Sequence, residues 1–177
     1  MNTKFTYALI LTIAQAVFNL LMYFTGYQTE KLATGQYLNW LSLPLTIALL
    51  WMGIRAVREE SADKSFSYGQ GVGAGVLISL YSGLMGGVYN YIHFKFVNPE
   101  FFAYQLEMIR SKWAASGMSS TQIEQAEAVA GKFMGPVISA IATPFMAVFF
   151  GLILSLIIAA ILKRSAPSAV PPPVPSV

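Results

Sequence analysis

The chain has 177 residues, of which 55% are hydrophobic and only 11% charged, with a formal net charge of +3. Soluble domains carry about a quarter charged residues, and so small a share cannot clothe the surface of a water-soluble domain; a lipid-facing surface needs no such coat. The weak positive balance, with no basic cluster interleaved with aromatics, leaves no nucleic-acid footprint, and the absence of cysteine excludes disulfides and thiolate metal sites.

The first apolar run covers residues 5–25, enough for the ~20 residues of helix that cross ~30 Å of hydrocarbon. Lys4 precedes it as in a signal peptide, but such apolar regions are only ~7–15 residues long and end at a small-residue cleavage site. This one ends in Tyr23-Phe24-Thr25-Gly26-Tyr27 and is expected to be a retained span. Thr12, Gln15 and Asn19 lie three and four residues apart and share one face of that helix. They form a candidate polar path or headgroup contact; the simpler reading is bonding to neighbouring helices, at ~0.6–2 kcal/mol each.

The second run covers residues 38–57, with Trp40 and Trp51 towards its ends and Pro44 inside. A polar segment follows, in which Glu59, Glu60 and Asp63 suggest a weak cation site or, more simply, a solvated turn. The third run covers residues 69–94 and the fourth 136–162, where Lys163 and Arg164 stop it. Both exceed the minimum length, which implies tilt, bending or protruding ends. Pro44 and Pro144 are expected to kink their spans. His93, the only histidine, stands beside Tyr89, Tyr91 and Phe94 and reads as an interfacial anchor, since one histidine makes no histidine-based metal site.

Between the third and fourth runs, residues 98–134 carry two amphipathic patterns. Asn98-Pro99-Glu100 reads as a helix start, with Asn as cap and Pro at the first helical position. Phe102, Leu106, Ile109 and Trp113 recur at helical spacing, and Gly117 closes the segment. Ser119 and Ser120 open a second helix with Gln122 and Glu124 in its first turn and Ile123, Ala126, Ala130 and Phe133 as its apolar stripe. A helical hairpin is expected, its apolar faces resting on each other, on lipid headgroups or on a partner. Glu107, Arg110 and Glu124 read as exposed helix charges. Residues 165–177, rich in proline, predict an extended cytoplasmic tail.

Two series of small residues recur every fourth position. Gly71, Gly75, Ser79, Gly83 and Gly87 lie in the third span; Thr143, Ala147, Gly151, Ser155 and Ala159 lie in the fourth. Lipid gives helices no hydrophobic drive to associate, so close backbone approach over small residues matters more. The series predict that the third span packs on the fourth, or that one ridge forms a homodimer. A four-residue repeat also drifts ~40° per step on a helix of 3.6 residues per turn, which predicts a steep crossing or two neighbours sharing each ridge.

Orientation follows from Lys and Arg in short loops. Lys4, Arg55, Arg58, Lys64, Lys163 and Arg164 crowd helix ends on one side, whereas on the other, with Lys31, Lys95 and Lys132, Arg110 and Lys112 sit mid-way along the long insert. Both termini are therefore expected in the cytoplasm.

Phe66-Ser67-Tyr68-Gly69-Gln70, the segment from Tyr91 to Phe101 (YIHFKFVNPEF), Gly117-Met118-Ser119 and the close from Leu156 to Lys163 (LIIAAILK) resemble signatures of a bacterial membrane family, domain of unknown function 4199. The resemblance runs from the first span to Lys163 and implies a four-span inner-membrane protein with an extracytoplasmic helical insert. It implies no activity.

The fold expected is thus all-α: an integral membrane four-helix bundle with a short extracytoplasmic helical hairpin between the third and fourth spans. No acidic residue lies inside an apolar run, whereas ion-coupled transporters keep ionisable groups at mid-membrane. No nucleotide loop or catalytic motif occurs. The expectation is a non-catalytic accessory or scaffold subunit of an inner-membrane assembly linked to envelope lipids or glycans, without a cofactor or metal. Its partners would be the lipid bilayer and a membrane protein or second copy. The alternative is a small oligomeric transporter or channel for a neutral or amphiphilic solute, using Thr12, Gln15 and Asn19.

Overall fold

The structure, a computed structural model, describes residues 2–60 and 65–164. It is all-α apart from one isolated bridge, with α1 (Thr3–Phe24), α2 (Leu32–Leu38), α3 (Ser42–Glu59), α4 (Tyr68–Ile92), α5 (Phe101–Ala115), α6 (Ser120–Lys132) and α7 (Pro136–Leu162). Four helical rods are long and apolar enough to cross a membrane: Thr3–Phe24, Leu32–Glu59, Tyr68–Val97 and Pro136–Leu162. The α5–α6 pair lies between the third and fourth. The proline-rich tail, and Asp63 with Lys64 of the second loop, lie outside the described residues.

Local chemistry sets the boundaries. Asn2 caps α1 by accepting from the Lys4 N–H. Ser67 and Gln70 form a reciprocal capping box that starts α4, and Ser119 with Gln122 repeats it at α6, each box satisfying backbone N–H groups that a helix start leaves free. Gly26 (φ 81°) and Gly117 (φ 85°) end α1 and α5 with left-handed turns, which glycine adopts without a Cβ penalty.

The second rod begins earlier than its apolar run. Lys31 N–H donates to Gly26 O (2.9 Å) and closes the turn after α1, so helix resumes at Leu32 although Thr34, Gly35 and Gln36 are not apolar. Pro44 falls in the first turn of α3, and a 3-10 turn at Asn39–Leu41 precedes it. Pro44, lacking an N–H, thus stands inside the rod where it changes from 3-10 to α-helix. Asn98 is also not the cap of α5: the residue before the helix is Glu100, without a side-chain cap, and the Asn98 side chain turns inward to Gln28.

α4 and α7 form the central pair. A Cβ added to Gly71 would lie 2.7 Å from Ala159 Cβ, one on Gly75 2.7 Å from Ser155 Cβ, and one on Gly83 2.8 Å from Ala147 Cβ. Ser79 fills the space beside Gly151 in the same way. Each step of four along α4 therefore meets a step of four back along α7, and all five α4 ridge residues are buried. α7 follows the stripe in this register from Gly71 to Gly83, Ile54 of α3 shares it at Gly75 (2.9 Å from a Cβ there), and at Gly87 the contact passes to Ala140 and Pro144 while Thr143 lies beside Gly86. Both stripes repeat at more than 3.6 residues and drift in the same right-handed sense, so contact passes along them together.

Pro144 contributes to this contact. It cannot donate to the Ala140 carbonyl, and a Cβ on Gly87 would lie 2.6 Å from that oxygen. Gly87 thus presents a Cα–H where the helix has lost an N–H donor, a weak substitute for the missing bond.

At the end that carries Asn2, Phe66 and Arg164 exchange two backbone hydrogen bonds of 2.9 Å as an antiparallel bridge. Phe66 is 2% exposed and joins Ile158, Leu162, Ile54, Leu50, Ile78 and Ala8 in the core. Thr3 donates to Glu60 at the same end. The opposite end carries the hairpin.

Candidate functional site

The polar face of α1 is divided among three neighbours. Thr12 Oγ1 lies 3.1 Å from Ser82 Oγ of α4 and donates to its own helix at Ala8 O (2.8 Å). Gln15 Nε2 donates to Thr46 Oγ1 of α3 (2.7 Å) and to Ser42 O (3.3 Å). Asn19 Oδ1 accepts from Gln28 Nε2 of the loop after α1. Their spacing on one helix face does bring them into line, and each tip is held by a different element.

Asn19 leads into a buried polar knot at the hairpin end. Gln28, His93 and Asn98 are 8%, 1% and 2% exposed, so any unpaired polar atom here would cost about 1–3 kcal/mol. His93 Nε2 lies 2.9 Å from Gln28 Oε1, and Asn98 Nδ2 donates to the same oxygen and to Gln28 O, both at 3.4 Å. The Tyr89 hydroxyl donates its one proton to Ala16 O (3.1 Å), and its oxygen stands 3.3 Å from His93 Nδ1. Among the described residues, no buried side-chain nitrogen or oxygen lacks a partner.

The knot joins α1, the first loop, α4 and the root of the hairpin. A π-helical turn at His93–Val97 widens the end of α4, and Asn98 N–H bonds back to His93 O (2.8 Å). Aromatic rings close around it: Tyr23 meets His93 edge-on, Tyr89 stacks on His93, and Phe94 stacks on Phe101 with centroids 4.6 Å apart. His93 is therefore not an interfacial anchor as its sequence neighbours suggest. It is an interior residue whose partners, Gln28 and Asn98, lie far from it in sequence or in what reads as a helix cap.

The hairpin is amphipathic across its two faces. One face is a groove of about 740 Å³ lined by Leu106, Glu107 and Arg110 of α5 and Ile123, Glu124 and Glu127 of α6. Arg110 Nε pairs with Glu127 Oε1 across it (3.4 Å). The other face carries Trp113, Met118, Ala126, Val129 and Ala130. α5 is fixed to α2 through Gln36, which contacts Met108 Sδ and accepts from Lys112 Nζ (3.2 Å). The Asn98–Gln28 contact sets the first loop beside the hairpin root, where the Tyr104 phenol is pushed above its ordinary pKa, first by desolvation and then by the Glu100 and Glu30 carboxylates.

Near the termini, Glu59 pairs with Arg58 (2.6 Å) and lies 3.9 Å from Arg55, and Glu60 is engaged by Thr3. Among the described residues, no three His, Cys, Asp or Glu side chains converge as metal ligands.

The protein family described as "Protein of unknown function (DUF4199)" matches residues 6–164. The match covers nearly all the chain, and the protein belongs to this family. No curated protein and no solved structure matches it.

Proposed function

We propose that this member of a family of unknown function is a non-catalytic accessory or scaffold subunit of a bacterial inner-membrane assembly that handles envelope lipids or glycans. The observation that carries the reading is the hairpin's charged groove, held in one orientation on a bundle whose own polar groups are paired. The knot around His93 and the Gln36 contacts fix the hairpin root and middle, while Glu107, Arg110, Glu124 and Glu127 line a cleft for a partner. A rigid mount lowers the ordering cost that a flexible loop would bring to binding.

In this reading the end bearing Asn2, Phe66 and Arg164 faces the cytoplasm and the hairpin faces outward. The support is the crowding of Lys4, Arg55, Arg58, Lys163 and Arg164 into short segments at that end.

The test is purification at native expression in gentle detergent, followed by quantitative mass spectrometry, for the native chain and for Arg110→Glu combined with Glu124→Arg. A constant set of membrane proteins lost with the double variant supports the proposal. Repeated recovery of the protein alone overturns it.

A further inference from the structure

We infer that the Trp113–Met118–Val129 face of the hairpin is seated in the lipid headgroup layer on the hairpin side, so that the charged groove on the opposite face is turned to water. The inference stands apart from any partner in that groove and concerns the other face.

Three features lead to it. First, the two faces differ in charge: one carries Trp113, Met118, Ala126 and Val129 with the uncharged Gln122 and Gln125, whereas the other sets Glu107, Arg110, Glu124 and Glu127 around Leu106 and Ile123. Val129 is 56% exposed, with no protein element over it. A surface helix with such sidedness lies in the membrane interface when its apolar face can reach it.

Second, the hairpin reaches down to the interface. The terminal end of the second rod is Glu59, and ~20 residues of helix cross the hydrocarbon, which puts the opposite surface near Tyr37 and Trp40. Both are exposed aromatics, the residues that favour that level. Gln36 stands one turn above Trp40, and it holds Met108 and Lys112. Trp113 is the next residue along α5. The same count along α4 from Tyr68 puts the surface near Val88, below His93–Val97 where the hairpin begins. α5 thus runs from a raised root towards the membrane surface, carrying Trp113 and the Gly117 turn to the level of the aromatic belt.

Third, the apolar face continues an interface that already meets lipid. Phe96 and Phe133 stand at the two roots of the hairpin and Val137 opens α7, all exposed. Gln122 and Gln125 share the Val129 face, and the exposed Phe133 and Val137 lead from it to the apolar surface of α7. Lipid is the occupant that this continuity favours over a second copy or another protein.

The chain has no cysteine, so single labels need no background removal. Val129→Cys and Glu124→Cys would each carry a nitroxide in full-length protein in phosphatidylcholine–phosphatidylglycerol nanodiscs. Accessibility to oxygen and to a water-soluble nickel chelate would then be measured. The expected result is oxygen-dominated access at position 129, at a depth of ~5–10 Å into the headgroup region, and nickel-dominated access at 124. In a parallel measurement, a variant with Trp40→Phe and Trp51→Phe leaves Trp113 as the sole tryptophan. Its emission should be quenched by lipids brominated near the headgroup and protected from aqueous iodide. Nickel-dominated access at 129 with iodide quenching of Trp113 overturns the inference. So does protection of 129 from both probes, which would mark a protein contact on this face.

Discussion

Gly75 of α4 and Ser155 of α7 occupy what would be one side chain's space: a Cβ on Gly75 would lie 2.7 Å from the Ser155 Cβ and closer still to its hydroxyl oxygen. About one turn away the roles reverse, and Ser79 of α4 fills the place that Gly151 leaves open on α7. Ser155 also donates to Gly151 O within its own helix (2.5 Å), which satisfies the hydroxyl at the tightest point of the contact.

Gly75→Leu and Gly83→Leu are expected to abolish the folded protein, because each backbone faces α7 atoms with no room for four carbons. Gly75→Ala should lower stability by about 1–3 kcal/mol, the usual range for overpacking. Gly73, with nothing within 4 Å of a Cβ, is the control, and Gly73→Ala should be neutral or slightly stabilising. Thermal or denaturant unfolding in detergent checks the series. A folded Gly75→Leu monomer replacing a native dimer would instead assign the ridge to a homodimer.

Ser79 and Gly151 should be coupled. Gly151→Ser alone puts two hydroxymethyl groups in one space and should destabilise by about 1–3 kcal/mol. Adding Ser79→Gly should recover part of that loss, with a coupling of about 0.5–3 kcal/mol in a double-mutant cycle. Strict additivity would separate these two positions.

His93→Ala is expected to cost about 1–3 kcal/mol by leaving Gln28 Oε1 short of a donor in a buried site. Gln28→Ala should act on the same knot, so the pair should be non-additive by about 0.5–3 kcal/mol. Independent effects, read by thermal unfolding, would mean that the two side chains do not share one network.

Gln15→Leu should reduce stability by roughly 0.6–2 kcal/mol, as loss of an interhelical hydrogen bond does in lipid, and Asn19→Leu by about 1–3 kcal/mol, since it leaves the buried Gln28 amide short of an acceptor. Proteoliposomes holding the native chain should take up neutral solutes no faster than empty ones. Saturable uptake that Gln15→Leu removes without altering the unfolding curve would favour a solute path along Thr12, Gln15 and Asn19.

The rods and the ridge spacing are legible in the sequence because each follows from a local rule. Apolar length gives the spans, and recurrence of small residues gives the faces. α7 begins and ends where its apolar run does, at Pro136 and Leu162, since proline opens it and a basic pair follows it. The polar knot is less legible. Gln28 sits in a loop between polar residues, and its pairing with His93 depends on how α1 and α4 are placed in space. Asn98-Pro99-Glu100 carries a capping signal, yet the π-helical turn before it rotates the Asn98 side chain away from α5 towards Gln28. The long run of α7 along the α4 ridge is hidden for a related reason: drift on one helix says nothing until the matching drift on its neighbour is known.

The central claim is that α4 and α7 of one chain meet in a fixed antiparallel register and so bind the hairpin's two roots together. A Cβ on Gly86 would lie 3.5 Å from Thr143 Cγ2, within reach of a disulfide. The direct test is Gly86→Cys with Thr143→Cys in a chain carrying a protease site at the Gly117 turn. Mild oxidation in membranes followed by cleavage should leave the two fragments joined in a single species of monomer mass, separable only by reductant. Fragments that separate without reductant, or that are joined only as a crosslinked dimer, would contradict the account.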